Sequence, residues 1–206
     1  MIRSLNKTTT HRSPGRPRAF LMDAALDAAL VVFRERGYHA ASLSDLGAAM
    51  KLTAGSIYKA FSDKRAIFLA CLERYLDVRR TLLQQALDAE GNGLEKVRAM
   101  LRFYAESSHD VEGRRGCLVV GGAVELATFD AEMAARVTMA LRNVETLLQA
   151  LIRLGQSDGS IPCAVDADAS ARALLCMVQG FRVVGKAGPT RAEMLAAADQ
   201  ALRILA

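Results

Sequence analysis

Apolar residues recur at helical spacing along most of the chain, beginning with Phe20. Leu26, Ala29, Leu30 and Phe33 fall at i, i+3, i+4 and i+7, which lays one apolar stripe along a first helix. Gly37 stands where a left-handed C-terminal residue is wanted, so this helix is predicted to end near Arg36. Ser42 with Asp45 three residues on has the form of a capping box, opening a short second helix whose Leu43, Leu46 and Met50 share a face. Thr53 is placed to cap a third short helix, TAGSIYKAF, in which Ile57 and Phe61 point inward four residues apart. A longer helix followed by two short ones joined by a tight turn makes a helix-turn-helix. Phe33, Leu46, Ile57 and Phe61 belong to its core, and His39 reads as a solvated turn residue.

A fourth helix, with Ser62 as its expected cap, carries periodic apolar residues through Phe68, Leu72, Tyr75, Leu76 and Leu83 to the Gly91-Asn92-Gly93 break. Five more helical stretches follow at roughly 94–108, 116–128, 130–154, 166–185 and 190–205. They are separated by loops at His109–Arg115, Gly155–Val165 and Gly185–Pro189, and Thr190 with Glu193 forms another capping box. β-branched residues run no further than pairs, so no strand is predicted, and the fold class is all-α with about nine helices. Seven of the eleven aromatic residues precede position 79. That concentration suggests a compact N-terminal domain over 18–78, with the helix-turn-helix at about 41–60, and an Ala/Leu/Val/Met-rich helical bundle over 79–206.

Composition narrows the class. Of 206 residues, 51% are hydrophobic and 24% charged, too apolar for a disordered chain and too interspersed with charge for a membrane-spanning one. The polar, basic N-terminus lacks the apolar run of a secretory signal, so the expected compartment is the cytoplasm. Cys71, Cys117, Cys163 and Cys176 are scattered and read as free thiols; with His11, His39 and His109 they show no metal-ligand spacing, and no metal or cofactor is expected. The net charge of +5 has one source: residues 1–18 hold Arg3, Lys7, Arg12, Arg16 and Arg18 and no acid, while bases and acids balance over the rest. Residues 1–17 thus read as a flexible basic arm suited to a polyanion.

The stretch from Arg18 to Val78 closely resembles the DNA-binding domain of the tetracycline-repressor (TetR) family of bacterial regulators. The likeness rests on Phe33-x-x-x-Gly37-Tyr38, Ser42-Leu43-x-Asp45-Leu46, Gly55-Ser56-Ile57-Tyr58-x-x-Phe61 and Lys64. It implies a third helix lying in the major groove of double-stranded DNA, where the small residues Thr53, Ala54, Gly55 and Ser56 would read base edges. Ser42 and Thr53 would present hydroxyls and free amides to phosphates, joined by Tyr58, Lys59 and Lys64, with Arg16 and Arg18 reaching a neighbouring groove or backbone. Many members carry histidine just before the phenylalanine of this motif; here the residue is Ala60, with Lys59 beside it.

The same resemblance implies a homodimer reading a palindromic operator and a small-molecule effector that releases it. The dimer interface would lie on the last two long helices, through Ala169, Ala173, Leu174, Met177 and Phe181 and through Leu195, Ala198 and Leu202, although internal packing would explain the same pattern. Met100, Phe103, Tyr104, Cys117, Val120, Val124, Met139, Cys176 and Gln179 are candidate lining residues of an effector cavity, and their character points to an apolar or weakly polar ligand. Cys117 opens a helix beside Arg114 and Arg115, a setting that lowers a thiol pKa, so a thiol-based electrophile or oxidant sensor is the alternative. Some family members resemble this, with a reactive cysteine near the start of the sixth helix, while a small buried hydrophobe explains Cys117 equally simply. The rival class is a small hydrolase with a His109/Cys117 dyad; no nucleophile elbow, phosphate loop or metal cluster accompanies it, and the expected function is a DNA-binding regulator rather than an enzyme.

Overall fold

The computed structural model describes residues 18–125 and 130–206, residues 18–21 by their backbone alone. Among them the chain is helical with no strand: α1 (Arg18–Ala40), α2 (Leu43–Met50), α3 (Ala54–Ala60), α4 (Lys64–Asp88), α5 (Gly93–Glu106), α6 (Asp110–Arg115), α7 (Leu118–Glu125), α8 (Ala131–Asp158), α9 (Ala167–Val184) and α10 (Arg191–Ala201), with 3-10 turns at Gly185–Ala187 and Leu202–Leu205. Arg16 and the side chain of Arg18 lie outside the described residues.

Local chemistry sets most of the boundaries. Gly37, at φ 80°, interrupts α1 where its helical pattern was expected to stop. The Ser42–Asp45 and Thr190–Glu193 capping boxes both form, and Thr53 Oγ1 accepts from the Ser56 amide. The cap of α4 is Asp63 rather than Ser62, because its carboxylate accepts from the Ala66 amide at 2.7 Å. The expected loop over His109–Arg115 contains a further short helix, α6, and α7 begins at Leu118 rather than 116.

Two hydrophobic clusters organise the chain. The first joins Phe33, Leu46, Ile57, Phe68 and Leu72 with Leu118 and Val119 of α7 and Met133, Val137 and Ala140 of α8. The core of the N-terminal helices is therefore completed by the bundle. Arg65 of α4 reinforces the join by pairing with Asp130 and, at 2.7 Å, with Glu132. The second cluster packs Leu83 and Leu87 of α4 with Val97, Met100 and Leu101 of α5, Leu148 and Ile152 of α8, and Leu174, Val178 and Phe181 of α9. At the crossing of α5 and α8 the backbones nearly touch: a Cβ on Gly93 would lie 2.1 Å from the Gly155 amide nitrogen. None of the described helices is long and apolar enough to cross a membrane.

Candidate nucleic-acid interface and effector site

The N-terminal end of α3 stands clear of the body. Thr53, Ala54, Gly55 and Ser56 are all exposed, and a Cβ placed on Gly55 would meet nothing within 4 Å. Such a surface lets a helix approach base edges closely. The Thr53 hydroxyl is already engaged, capping Ser56 and lying 3.0 Å from its Oγ, and Ser42 Oγ donates to Asp45 at 2.7 Å. Tyr58 is 62% exposed and Lys59 is exposed beside it. A cation not singled out from the sequence joins them: Lys51, exposed in the turn between α2 and α3 with φ 56°. Its signal was a basic residue two positions before the cap of the reading helix.

Lys64 takes a different part. Its ammonium donates to the carbonyls of Tyr38 at 2.9 Å, Ala41 at 3.1 Å and His39 at 3.4 Å, and sits 4.5 Å from the centre of the Tyr38 ring. These acceptors use its three protons on the free carbonyls at the end of α1, so in this structure Lys64 clamps α1 to α4 rather than pointing free toward solvent.

Two cavities lie behind the reading head. The smaller, of 250 Å³, is bounded by Phe33, Gly37 and Tyr38 of α1, by Cys117, Val120 and Val124 around α7, and by Arg182 and Lys186. The larger, of 560 Å³, runs between α4 and α8, with Tyr75, Arg79, Tyr104, Cys117, Met139 and Gln179 on its surface. Among the candidate lining residues, Met100 is instead fully buried in the second core, and Phe103 packs on that core beneath Arg79. Cys176 is exposed on the outside of α9, because the inward face of that helix is set by Leu174, Val178 and Phe181.

Cys117 borders both cavities. Burial opposes its ionisation, but Arg182, the Val120 amide, the Tyr75 hydroxyl at 3.6 Å and Arg79 outweigh that and hold the thiol below its ordinary value. The arginines responsible are not the neighbours in sequence. Arg115 pairs with Glu35 and Glu112, and Arg114 is exposed, whereas Arg182 comes from α9 and Arg79 from α4. By contrast, burial pushes the Cys71 thiol up to about 12. The His109–Cys117 dyad is not formed: the ring nitrogens of His109 face Asp110 at 2.7 Å and Glu106 at 3.2 Å, and Tyr75 is the side chain that meets the sulfur.

Leu174, Phe181 and Ala198 are buried in the chain's own core, so they are withdrawn from the interface expected on the last helices. Ala169 and Met177 are exposed, and Ala173, Leu195 and Leu202 half-buried. Apolar surface on α9 continues through Gly180 to Val183 and Val184, which are 55% and 53% exposed.

Two family models cover this arrangement. The one described as bacterial regulatory proteins, tetR family, matches residues 25–71, and that of the tetracyclin repressor-like C-terminal domain matches 93–200. The chain belongs to the TetR family of bacterial transcriptional regulators. Over 94% of its length it is 29% identical to the HTH-type transcriptional repressor ComR of Escherichia coli, of which it covers 92%. It is 30% identical to the transcriptional regulator AcuR of Cereibacter sphaeroides, across 79% of this chain and 75% of that protein. Among solved structures, a cysteine mutant of the TetR family regulator CifR complexed with 26bp double-strand operator DNA superposes with a TM-score of 0.78. Its sequence is 32% identical, over 91% of this chain and 98% of CifR. Within this TetR-family frame, α2 and α3 form the helix-turn-helix and α5 to α10 the C-terminal domain.

Proposed function

We propose that this TetR-family chain is a cytoplasmic repressor that binds a palindromic operator as a homodimer and is released when a small, mainly apolar molecule fills the cavity beside α4. The observation that supports this most directly is the shared construction of head and cavity. Residues of α7 and α8 that complete the core under the helix-turn-helix, Val119 and Ala140, also border the 560 Å³ cavity. A ligand that fits the cavity better in one arrangement of α4, α7 and α8 than in another shifts the population of reading heads by that difference in affinity.

The second copy would seat on a stripe of α9 formed by the exposed Ala169, Met177 and Val184 and the half-buried Ala173 and Gly180, spaced to share one helix face. Gly180 has open space where a Cβ would sit, which permits close approach of a partner helix. The protein's work is binding rather than catalysis.

The test is selection of bound fragments from genomic DNA by the purified protein at ~0.15 M salt, where nonspecific phosphate binding is weakened. Enrichment of one short palindrome beside a promoter supports the reading, and fragments enriched without a common sequence overturn it. Rising expression of the neighbouring gene when the chain is deleted supports repression; falling expression makes it an activator.

The placement of Cys117 favours a second reading, in which an electrophile or oxidant modifies its thiolate and releases the operator. The sulfur borders both cavities and carries a lowered pKa. Under that reading C117S still binds the operator but no longer lets go on treatment with a thiol-alkylating agent.

A further inference from the structure

The larger cavity has two chemically unlike parts. Leu72, Leu76, Leu83, Val144 and Leu147 give it hydrocarbon walls, whereas Arg79, Tyr104 and Gln179 bring polar groups to it. Arg79 is the unusual member. Among the described residues it makes one hydrogen bond, from Nη1 to Ser107 Oγ at 3.1 Å, and its Nη2 is shielded from water with no acceptor. The guanidinium instead lies among aromatic rings, 4.5 Å from the centre of Phe103, 5.1 Å from Tyr104 and 5.7 Å from Tyr75. Ring faces offset part of a buried charge but do not replace an in-plane acceptor.

A second arginine reaches the same residue, Ser107. Arg182 is 2% exposed; its guanidinium meets the Ser107 and Gly116 carbonyls and Ser108 Oγ, and its Nε has no partner. Neither arginine has a carboxylate among its described partners. The acidic residues bordering this cavity are Glu73 and Asp77, both exposed, and Asp77 is paired with Arg80. The other cations on its border are Arg80, the partner of Asp77, and Arg136, which is paired with Glu132. A guanidinium nitrogen shielded from water with no acceptor is costly, and a planar carboxylate is the group that satisfies a guanidinium with two parallel hydrogen bonds.

We propose that the cavity binds a small organic carboxylate, its head group on Arg79 and its hydrocarbon body along the leucine walls. This deepens the effector reading given above and rests on it, replacing a purely apolar ligand by an amphipathic anion. The 560 Å³ of space suits a body of drug-like size rather than a bare inorganic ion.

The experiment is calorimetric titration of the full chain with hexanoate, octanoate, decanoate, benzoate and 3-phenylpropionate, each beside the alcohol and the amide of the same skeleton. At least one carboxylate is expected to bind the unaltered protein about 10-fold or more tightly than its neutral counterparts. Arg79→Met is expected to erase that preference while leaving the alcohol's binding in place, and Arg79→Lys to retain part of it. The preference in the unaltered protein tests the proposal even where a variant fails to fold. Equal affinity for carboxylate and alcohol throughout, no binding of any carboxylate, or unchanged carboxylate binding by a folded Arg79→Met protein would overturn it. Operator selection is read in parallel. An operator recovered while no carboxylate is preferred overturns the ligand assignment and leaves the regulator standing; a carboxylate preference without any operator supports the ligand site and overturns the DNA reading.

Discussion

Arg34 and Arg182 donate to the same acceptor, the carbonyl oxygen of Gly116, at 2.9 Å and 3.0 Å. Arg34 belongs to α1, which packs against the helix-turn-helix; Arg182 belongs to α9; and Gly116 immediately precedes Cys117 at the meeting of the two cavities. A second tie runs alongside, where the Tyr38 amide donates to the Glu125 carboxylate at 2.8 Å. A movement at α7 therefore reaches α1 through short, directional contacts rather than through loosely packed side chains.

Replacing Arg34 with methionine keeps the stem's packing but removes its hydrogen bonds to the Gly116 carbonyl, which keeps Arg182, and to Glu112, which keeps Arg115. Since Arg34 is only 9% exposed, the loss is expected to be ~2–3 kcal/mol, seen as a lower urea midpoint with an unchanged m-value. A midpoint within error of the unaltered protein would show that this contact does not hold α1 to the bundle.

Lys59 and Lys64 separate by their salt dependence. Lys59→Ala should lower the slope of log affinity against log salt by ~0.9, the effect of one lost phosphate contact. Lys64→Met should leave the slope alone and instead cost ~1–2 kcal/mol of folding stability, because its ammonium holds three carbonyls at the end of α1. A lower slope for Lys64→Met would return that residue to the DNA contacts.

In a chain carrying C163S and C176S, alkylation of Cys117 should accelerate with rising pH through a midpoint below that of an ordinary thiol. The sign follows from the reacting species: the thiolate attacks, and a lowered pKa puts its appearance at lower pH. Tyr75→Phe removes a donor 3.6 Å from the sulfur and should move the midpoint up. Cys71, pushed up to about 12 by burial, should stay unmodified over the same range. A Tyr75→Phe midpoint that stays put or falls would detach the hydroxyl from the thiol.

Gly93→Ala forces a methyl group to within 2.1 Å of the Gly155 nitrogen and 2.3 Å of its Cα, both backbone atoms that no side-chain rotation clears. The two helices must separate, at a cost of ~2–4 kcal/mol by thermal or urea unfolding. Gly55→Ala, with open space around it, serves as the control and should melt with the unaltered protein apart from a small gain in helix propensity.

Met177→Glu places a charge in the middle of the exposed apolar stripe of α9. Sedimentation equilibrium should show dimer dissociation weakened in cost by at least ~1.4 kcal/mol, a 10-fold rise in Kd, with unaltered helicity. An equal change at Leu174 would not be informative, since that side chain is fully buried and its loss would unfold the bundle.

Features closed over three or four residues were legible in the sequence. The Ser42–Asp45 box, the Thr53 cap, the Gly37 break and the Thr190–Glu193 box each depend on a hydroxyl, carboxylate or missing Cβ next to the amides it serves, and all four stand where the pattern placed them. One long-range feature also left a trace. Arg79 follows Leu72, Tyr75 and Leu76 on the apolar face of α4, a charge where a hydrophobe was due, and only the fold shows that Phe103 and Tyr104 of α5 surround it.

The helical class, the helix-turn-helix and the small, exposed residues that open α3 follow from residue order, because periodicity, caps and small residues act over one or two turns. Only the packed fold shows where the Lys64 ammonium goes, which residues line a cavity and which side chains of α9 are buried in the chain's own core. Lys64 is spent on carbonyls 23 to 26 residues away, Arg182 meets Ser107 and Gly116 across 75 and 66 residues, and Leu174 turns inward against α5 and α8. Those outcomes depend on how helices cross, and crossing geometry is set by the summed packing of distant faces rather than by any local pattern.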